Sequence, residues 1–362
     1  MHRRIVLLLA AVLTLAAGDG FPPAFGPAWS GAQTRIPHVA PGFFDPAQRA
    51  GSAYKNLDPE YRRASYWARL HSLVMGATWL VSESRVAALP LATPDWAALR
   101  DRSHAPTVTW IGHSTVLVQL DGVSFLTDPT WAERSGPFSG FIGVRRYTPP
   151  GIAFDDLPPI DFVLISHDHY DHLDEPTVRR LARKFDPLFV VPLGIKAWLA
   201  DRGIANAVEL DWGESVAVKG LTVVCTPAQH GSGRTAIDQG RRLWSSWAVL
   251  GSKRFYFGGD TGYYRHFTET GNRLGPFDLA ALPIGSYTPR HIAKPVHISP
   301  EEALQAALDL RASRMLGVHW GTFALAREPY DEPPTRVRAE LERRRLDPAT
   351  AWILKPGETR TW

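Results

Sequence analysis

Cysteine is almost absent from this chain of 362 residues. Cys225 is the only one, so an internal disulfide is excluded and any metal site must do without a thiolate cluster. Cys225 lies inside the apolar run "LTVVCTP" and is expected as a small buried core residue. Excess charge of either sign is also lacking. Forty Lys and Arg face 36 Asp and Glu, which is not the balance of a nucleic-acid-binding surface. Long apolar runs are missing too. "IVLLLAAVLTLAA", residues 5–17, has 13 residues, short for a membrane span. Preceded by Arg3 and Arg4 and followed by "GDG", it reads as a signal peptide over residues 1–18, with an uncleaved signal anchor as the alternative. Removing it leaves a net charge of +2. No cysteine near it offers a site for an N-terminal lipid anchor. Neither a repeat of fixed period nor a low-complexity tract is evident.

Tryptophan and proline are plentiful, at 13 and 30, which suggests ordered loops with aromatic anchors. Residues 19–106 read as an N-terminal arm and helical extension. The first part, rich in Pro, Gly and Ala, is expected to wrap the body or to be partly disordered. Residues 61–81, "YRRASYWARLHSLVMGATWLV", carry a helical apolar face on Trp67, Leu70 and Val74, packed on the domain or turned to a membrane or substrate. From residue 107 short β-rich runs alternate with turn signals. They include "TVTWIGHSTVLVQL", "VSFLTDP", "DFVLISHD", "LFVVPL", "LTVVCTPAQH", "RFYFGGD" and "RMLGVHWG". Helices are predicted at "EPTVRRLARKF", at "GIKAWLADRG" with Gly203 as its C-cap, at "SPEEALQAALDLRA" and at "PTRVRAELERRR". The third opens on a capping box, Ser299 with Glu302, and has Pro300 in its first turn. Mixed strands with interleaved helices argue α/β layers.

Metal-competent residues recur where apolar runs stop. His167, His169, Asp171 and His172 follow "FVLIS", His230 follows "LTVVCTPAQ", Asp260 follows "RFYFGG" and His319 follows "RMLGV". Asp128 follows "VSFLT", and His113 lies within "WIGHST". Three imidazoles and a carboxylate in the six residues of H-x-H-x-D-H are hard to satisfy without a metal. Nitrogen and carboxylate donors suit Zn²⁺, with Fe or Mn as alternatives. The seven strongest candidates exceed one tetrahedral zinc but suit two ions bridged by a carboxylate, about 3.5–4 Å apart and sharing an activated water. A serine nucleophile is the rival. "GHSTV" lacks the second glycine of an elbow, and Ser232 in "HGSGRT" has no helix evident after it.

These residues resemble the metallo-β-lactamase superfamily, which implies an αββα four-layer sandwich, here over about residues 107–356. "TWIGHSTVLVQLDGVSFLTDP", "LPPIDFVLISHDHYDHLD", "FVVPLG", "VELDW", "TPAQH", "GGDTGY", "GPFDLAALPIGSY" and "HWGTFALA" are more narrowly similar to the phospholipases D that hydrolyse N-acyl-phosphatidylethanolamine. That resemblance implies two Zn²⁺ per chain, one on His167, His169 and His230, the other on Asp171, His172 and His319, with Asp260 bridging. It implies hydroxide attack on a phosphodiester, giving phosphatidic acid and an N-acylethanolamine, with Asp171 as a candidate proton acceptor. In "KPVHISPEEA", His297 matches a residue the family carries close to the reacting phosphate, whereas Val296 replaces a glutamine there. His297 is thus a candidate catalytic residue, or simply a residue leading into the helix. The partners expected are a phospholipid and a membrane surface touched peripherally, with no nucleic acid and with a homodimer left open. The signal places the protein outside the cytoplasm, in a bacterial periplasm or envelope. A lactonase or amidase on the same fold is the alternative; a nuclease is disfavoured by the charge, and a binding protein without catalysis by the seven filled positions.

Overall fold

The computed structural model describes residues 39–40, 43–59, 61, 87–102, 105–140 and 142–362. The expected signal peptide and all but Tyr61 of the helix expected over 61–81 lie outside them.

Two mixed sheets pack face to face with helices outside. In the first, strands Ala207–Leu210, Leu188–Pro192, Phe162–Leu164 and Val123–Thr127 run parallel; Thr115–Leu120, Thr107–Gly112 and Thr359–Thr361 follow antiparallel. In the second, Val39–Ala40, Ser215–Val218, Leu221–Thr226, Ser246–Leu250 and Arg254–Phe257 are antiparallel neighbours; Leu279–Pro283, Met315–Val318 and Ala351–Trp352 continue in parallel.

Strand alternation builds the layers. Val108, Trp110, Val116, Val118, Phe125 and Leu164 join the core shared with the second sheet. The intervening Ile111, Leu117, Leu126, Val163 and Val191 join a second core beneath helices Glu175–Phe185 and Ile195–Ala200. Both faces of these strands are apolar, as a sheet covered on both sides requires. Helices His266–Leu274, Pro300–Asp309 and Glu332–Arg344 cover the outer face of the second sheet. This is the αββα sandwich. Cys225 is fully buried within it.

Several local expectations hold. Glu175–Phe185 is the helix predicted, and Ser299 and Glu302 form the reciprocal capping box. The helix Ile195–Ala200 is capped at Asp201 rather than at the expected Gly203, which at φ +76° closes the turn that follows, where Ile204 N–H donates to Leu199 O. Other features differ. "TVTWIGHSTVLVQL" is a hairpin rather than one run, turning at residues 113–114. Gly112 adopts φ +139°, where a side chain is strained whatever the space. Thr359–Thr361 pairs with Thr107–Thr109, so the sandwich runs past the expected boundary at 356. Helix His266–Leu274 was not read from the sequence. Its Gly271 weakens the helical signal but permits close packing, since a Cβ there would lie 2.1 Å from Asp309 O.

The described residues of the N-terminal arm, 39–40 and 43–59, lie along the body. Val39 and Ala40 add an edge strand, Phe43 N–H donates to Gly213 O, and Phe44 is buried in the shared core.

Candidate metal centre

Loops leaving the strand ends on one rim of the sandwich carry the chemistry. The turn after Phe162–Leu164 holds residues 166–172, Asp128 follows Val123–Thr127, Asp260 follows Arg254–Phe257, and His319 follows Met315–Val318. Gly259 makes Asp260's position accessible. It has φ +56°, and a Cβ there would come within 2.5 Å of Ser166 Cβ.

The structure brings all seven predicted donors together. His169 Nδ1 lies 2.8 Å from His167 Nε2 and 3.2 Å from His230 Nε2. Hydrogen bonding on the far side of two rings fixes their tautomers. Ser166 Oγ donates to Asp128 Oδ2, so His167 Nδ1, 2.9 Å from that hydroxyl, must donate to it. His230 Nδ1 donates to Val296 O at 2.9 Å. Both Nε2 atoms are therefore bare lone pairs aimed at one point. Nitrogens on one tetrahedral zinc at about 2.0–2.1 Å stand roughly 3.3 Å apart, so this trio fits such an ion.

A second donor set adjoins it. Asp171 Oδ2 lies 3.1 Å from His172 Nε2 and 3.4 Å from His319 Nε2. Asp260 faces both sets: Oδ1 is 3.1 Å from His319 Nε2, while Oδ2 is 3.2 Å from His172 Nε2 and 3.7 Å from His230 Nε2. His172 Nε2, His319 Nε2 and Asp260 Oδ1 are buried without a hydrogen-bond partner. Such atoms are costly unless something completes them, and a cation does so for all three.

Electrostatics separates the two sets. Burial, followed by neighbouring imidazoles, holds His167 well below the ordinary histidine value. Burial does the same for His230, against the pull of Asp260. These rings are neutral and ready to ligate. Burial also lowers His172 and His319, but Asp260 and Asp171 outweigh it, lifting His172 well above its ordinary value and His319 to about 9. Burial raises Asp260, yet His172, His319 and His297 together hold it well below the carboxylate range.

The other predicted residue, His297, stands at the edge. Its Nδ1 is 3.8 Å from Asp260 Oδ2, and burial lowers its pKa to about 4. Two of the three aspartates in residues 166–174 do other work. Asp168 is buried and accepts from Gly233 N–H and Arg242, tying down the His230 loop. Asp174 accepts from Trp131 N–H, Ala132 N–H and Thr177 Oγ1 at the start of its helix.

Two residues noted at strand ends but left out of the donor set belong to the centre. Asp128 Oδ2 accepts from His172 Nδ1 at 2.7 Å and, through Ser166, also orients His167. His113 Nε2 donates to Asp171 Oδ2 at 2.9 Å. Its carbonyl accepts from His319 N–H and Trp110 Nε1, and its own N–H donates to Thr322 Oγ1. His113 thus ties the two sheets together at the rim. Their position at a strand end was the signal; the direction of the side chain was not legible. The rival serines lack a nucleophile's setting. Ser114 is fully buried, and Ser232 donates to Arg242 O.

The sequence model of the Beta-lactamase superfamily domain matches residues 124–320. N-acyl-phosphatidylethanolamine-hydrolyzing phospholipase D 1 of Caenorhabditis elegans is 47% identical over 249 residues, covering 65% of this chain and 70% of its own length. An uncharacterized protein of Mycobacterium tuberculosis is 42% identical over 357 residues, covering 94% of this chain and 92% of its own. The isothiocyanate hydrolase from Delia radicum gut bacteria superposes with a TM-score of 0.57 at 22% identity, over 71% of this chain and 99% of that one, a likeness of fold.

Proposed function

The chain belongs to the metallo-β-lactamase superfamily, close to N-acyl-phosphatidylethanolamine-hydrolysing phospholipase D, and on that premise we propose a binuclear zinc phosphodiesterase that cleaves N-acyl-phosphatidylethanolamine or a related phospholipid to phosphatidic acid and an N-acylethanolamine. The observation that carries the metal half of this reading is the pair of adjoining donor sets sharing Asp260, with buried atoms left partnerless on His172, His319 and Asp260. The 47% identity to an enzyme named for that lipid supports the substrate half.

In this reading His167, His169 and His230 would hold one zinc and Asp171, His172 and His319 the other, with Asp260 available to both. When bound, the ions supply positive charge for a phosphoryl group and lower the pKa of water toward neutrality. The protein's own part is orientation. Ser166, Asp128 and the Val296 carbonyl lock three of the imidazoles with the ligating nitrogen inward. Replacing glutamine by Val296 therefore removes a side-chain contact but keeps this backbone acceptor. His297 is neutral at physiological pH, so it serves as a hydrogen-bond donor to a phosphoryl oxygen better than as an acid. Asp171 Oδ2 is engaged by His113, with His172 and His319 close by, so proton acceptance by Asp171 falls to its other oxygen.

The test is a substrate panel on zinc-loaded full-length protein, read by mass spectrometry. Phosphatidic acid should appear from N-acyl-phosphatidylethanolamine micelles and disappear on chelation. Fast turnover of a lactone with no product from any phospholipid would refute the lipid assignment.

A further inference from the structure

His230 is the ligand of the first half with the least structure of its own. His167 and His169 come off the turn directly after strand Phe162–Leu164. His230 lies instead between strands Leu221–Thr226 and Ser246–Leu250, where residues 227–245 form neither helix nor strand. Its position is set by contacts from elsewhere. Just before it, Gln229 N–H donates to Thr261 Oγ1 at 3.0 Å and Gln229 O accepts from Gly262 N–H at 2.7 Å, which ties it to the residues after Asp260. Its ring is held by the Val296 carbonyl. Just after it stands Gly231, where a Cβ would meet nothing within 4 Å. No side-chain packing therefore fixes the peptide between residues 230 and 231 on that side.

The N-terminal arm supplies the missing hold. Asn56 Nδ2 donates to His230 O at 2.7 Å, across 174 residues of sequence. Asp58 N–H donates to Gln229 Oε1 at 3.1 Å, and Gln229 is buried. The arm arrives in a fixed register. Arg49–Ala50 pairs with Ala53–Tyr54, and the Arg49 guanidinium lies over the Tyr54 ring at 4.0 Å. Tyr54 is buried in the shared core, and its N–H donates to Gly240 O at 2.9 Å. Gly240 N–H donates in turn to Ser232 O, two residues past the ligand. Asn56 Oδ1 is buried without a hydrogen bond, so the polar contact of this side chain is the one to His230.

We propose that Asn56 is a positioning residue of the metal centre. It holds the peptide between residues 230 and 231 and so aims the His230 ring at the point shared with His167 and His169, while Asp58 steadies Gln229 behind it. The inference rests on the metal half of the proposed function and is independent of the substrate. An amide donor on a ligand's own carbonyl restrains the ring through its backbone, as the Val296 carbonyl restrains it through Nδ1. Because its polar contact is with His230, Asn56 bears on the first half and not on Asp171, His172 and His319.

Zinc titration of the full-length protein against a chromophoric chelator, alongside thermal melting, tests this. Asn56→Leu keeps the size of the side chain and loses the donor. One of the two zinc-binding steps should weaken by about tenfold while the other stays. The loss should persist with His319→Ala, which leaves the first half as the site, and vanish with His169→Ala, which leaves the second. The substitution also removes a buried oxygen that makes no hydrogen bond, so melting should stay or rise as affinity falls. A residue that merely packs the arm would not split the two readouts. Asn56→Ala should weaken the same step, and Gln229→Leu should do so by a smaller factor. Equal losses in both steps, or none in either, overturn the role of Asn56. A wild-type chain that takes up no zinc would sink the metal reading itself, whereas zinc binding indifferent to Asn56 sinks the positioning role alone.

Discussion

The two halves of the metal centre solve the same problem with different chemistry. The first gathers three imidazoles, two of them fixed from behind by uncharged groups, the Ser166 hydroxyl and the Val296 carbonyl. The second puts two imidazoles against carboxylates, with His172 fixed by Asp128 and Asp171 gripped by His113. Without metal, the neutral rings of the first half meet at His169, whose Nδ1 lies 2.8 Å from His167 Nε2 and 3.2 Å from His230 Nε2; the second half sets imidazoles against carboxylates yet leaves His172 Nε2, His319 Nε2 and Asp260 Oδ1 without a hydrogen bond. The lesson is that the first half is built to accept a cation directly, whereas the second must release protons to do so.

Asp260 is the residue the halves share, so its removal should have the largest effect. Asp260→Asn is expected to lower kcat by about 10²–10³-fold or more and to reduce the metal content of both halves, measured by steady-state kinetics alongside elemental analysis. Next come substitutions that separate the halves. His169→Ala should empty only the first and His319→Ala only the second, so each variant should retain about one ion per chain in a metal titration. Loss of both ions from either variant would show that the halves are one inseparable site.

Asp128→Asn should act more gently, weakening metal affinity by about 10–100-fold, with the larger loss in the half of His172, to which it bonds directly. The pH dependence should differ as well. His319 is raised to about 9 and His172 lies well above its ordinary value, both through Asp260 and Asp171 against the effect of burial, so both carry protons near neutrality that metal must displace. Affinity of the second half should fall as pH drops from about 9. That of the first, whose His167 and His230 lie well below the ordinary value, should stay flat through neutrality. Calorimetry in buffers of differing ionisation heat would reveal proton release from the second half alone.

His266 offers the smallest effect on turnover and a useful control. It is a fully buried histidine outside the donor sets, and burial lowers its pKa to about 3. The unfolded chain binds this proton near pH 6.5 and the folded chain does not, so its contribution is full above pH 6.5 and is lost as pH falls. His266→Gln should leave turnover at neutral pH unchanged while removing about 2–3 kcal/mol of the stability loss between pH 6 and pH 4, read from denaturant unfolding.

The contrast between halves also marks what a sequence reveals. H-x-H-x-D-H is legible because several donors in one turn have no bland explanation, and His230, Asp260 and His319 are legible because each ends an apolar run. Asp128 and His113 end such runs or turns as well. Their roles depend on which way a carboxylate or a ring faces once two sheets have met, and spacing does not encode that. The same limit applies to Asp168, which sits inside the motif yet turns away to Arg242. Helix His266–Leu274 escaped because Gly271 spoils its local propensity for the sake of a close contact with the neighbouring helix.

The central claim is two cations held by halves that share one carboxylate. Anomalous scattering at the zinc edge from a crystal of the zinc-supplemented protein tests it most directly. The expected map has two peaks roughly 3.5–4 Å apart, one among His167, His169 and His230, the other among Asp171, His172 and His319, with Asp260 in contact with both. A single peak, or two peaks with Asp260 turned away from either, would contradict it.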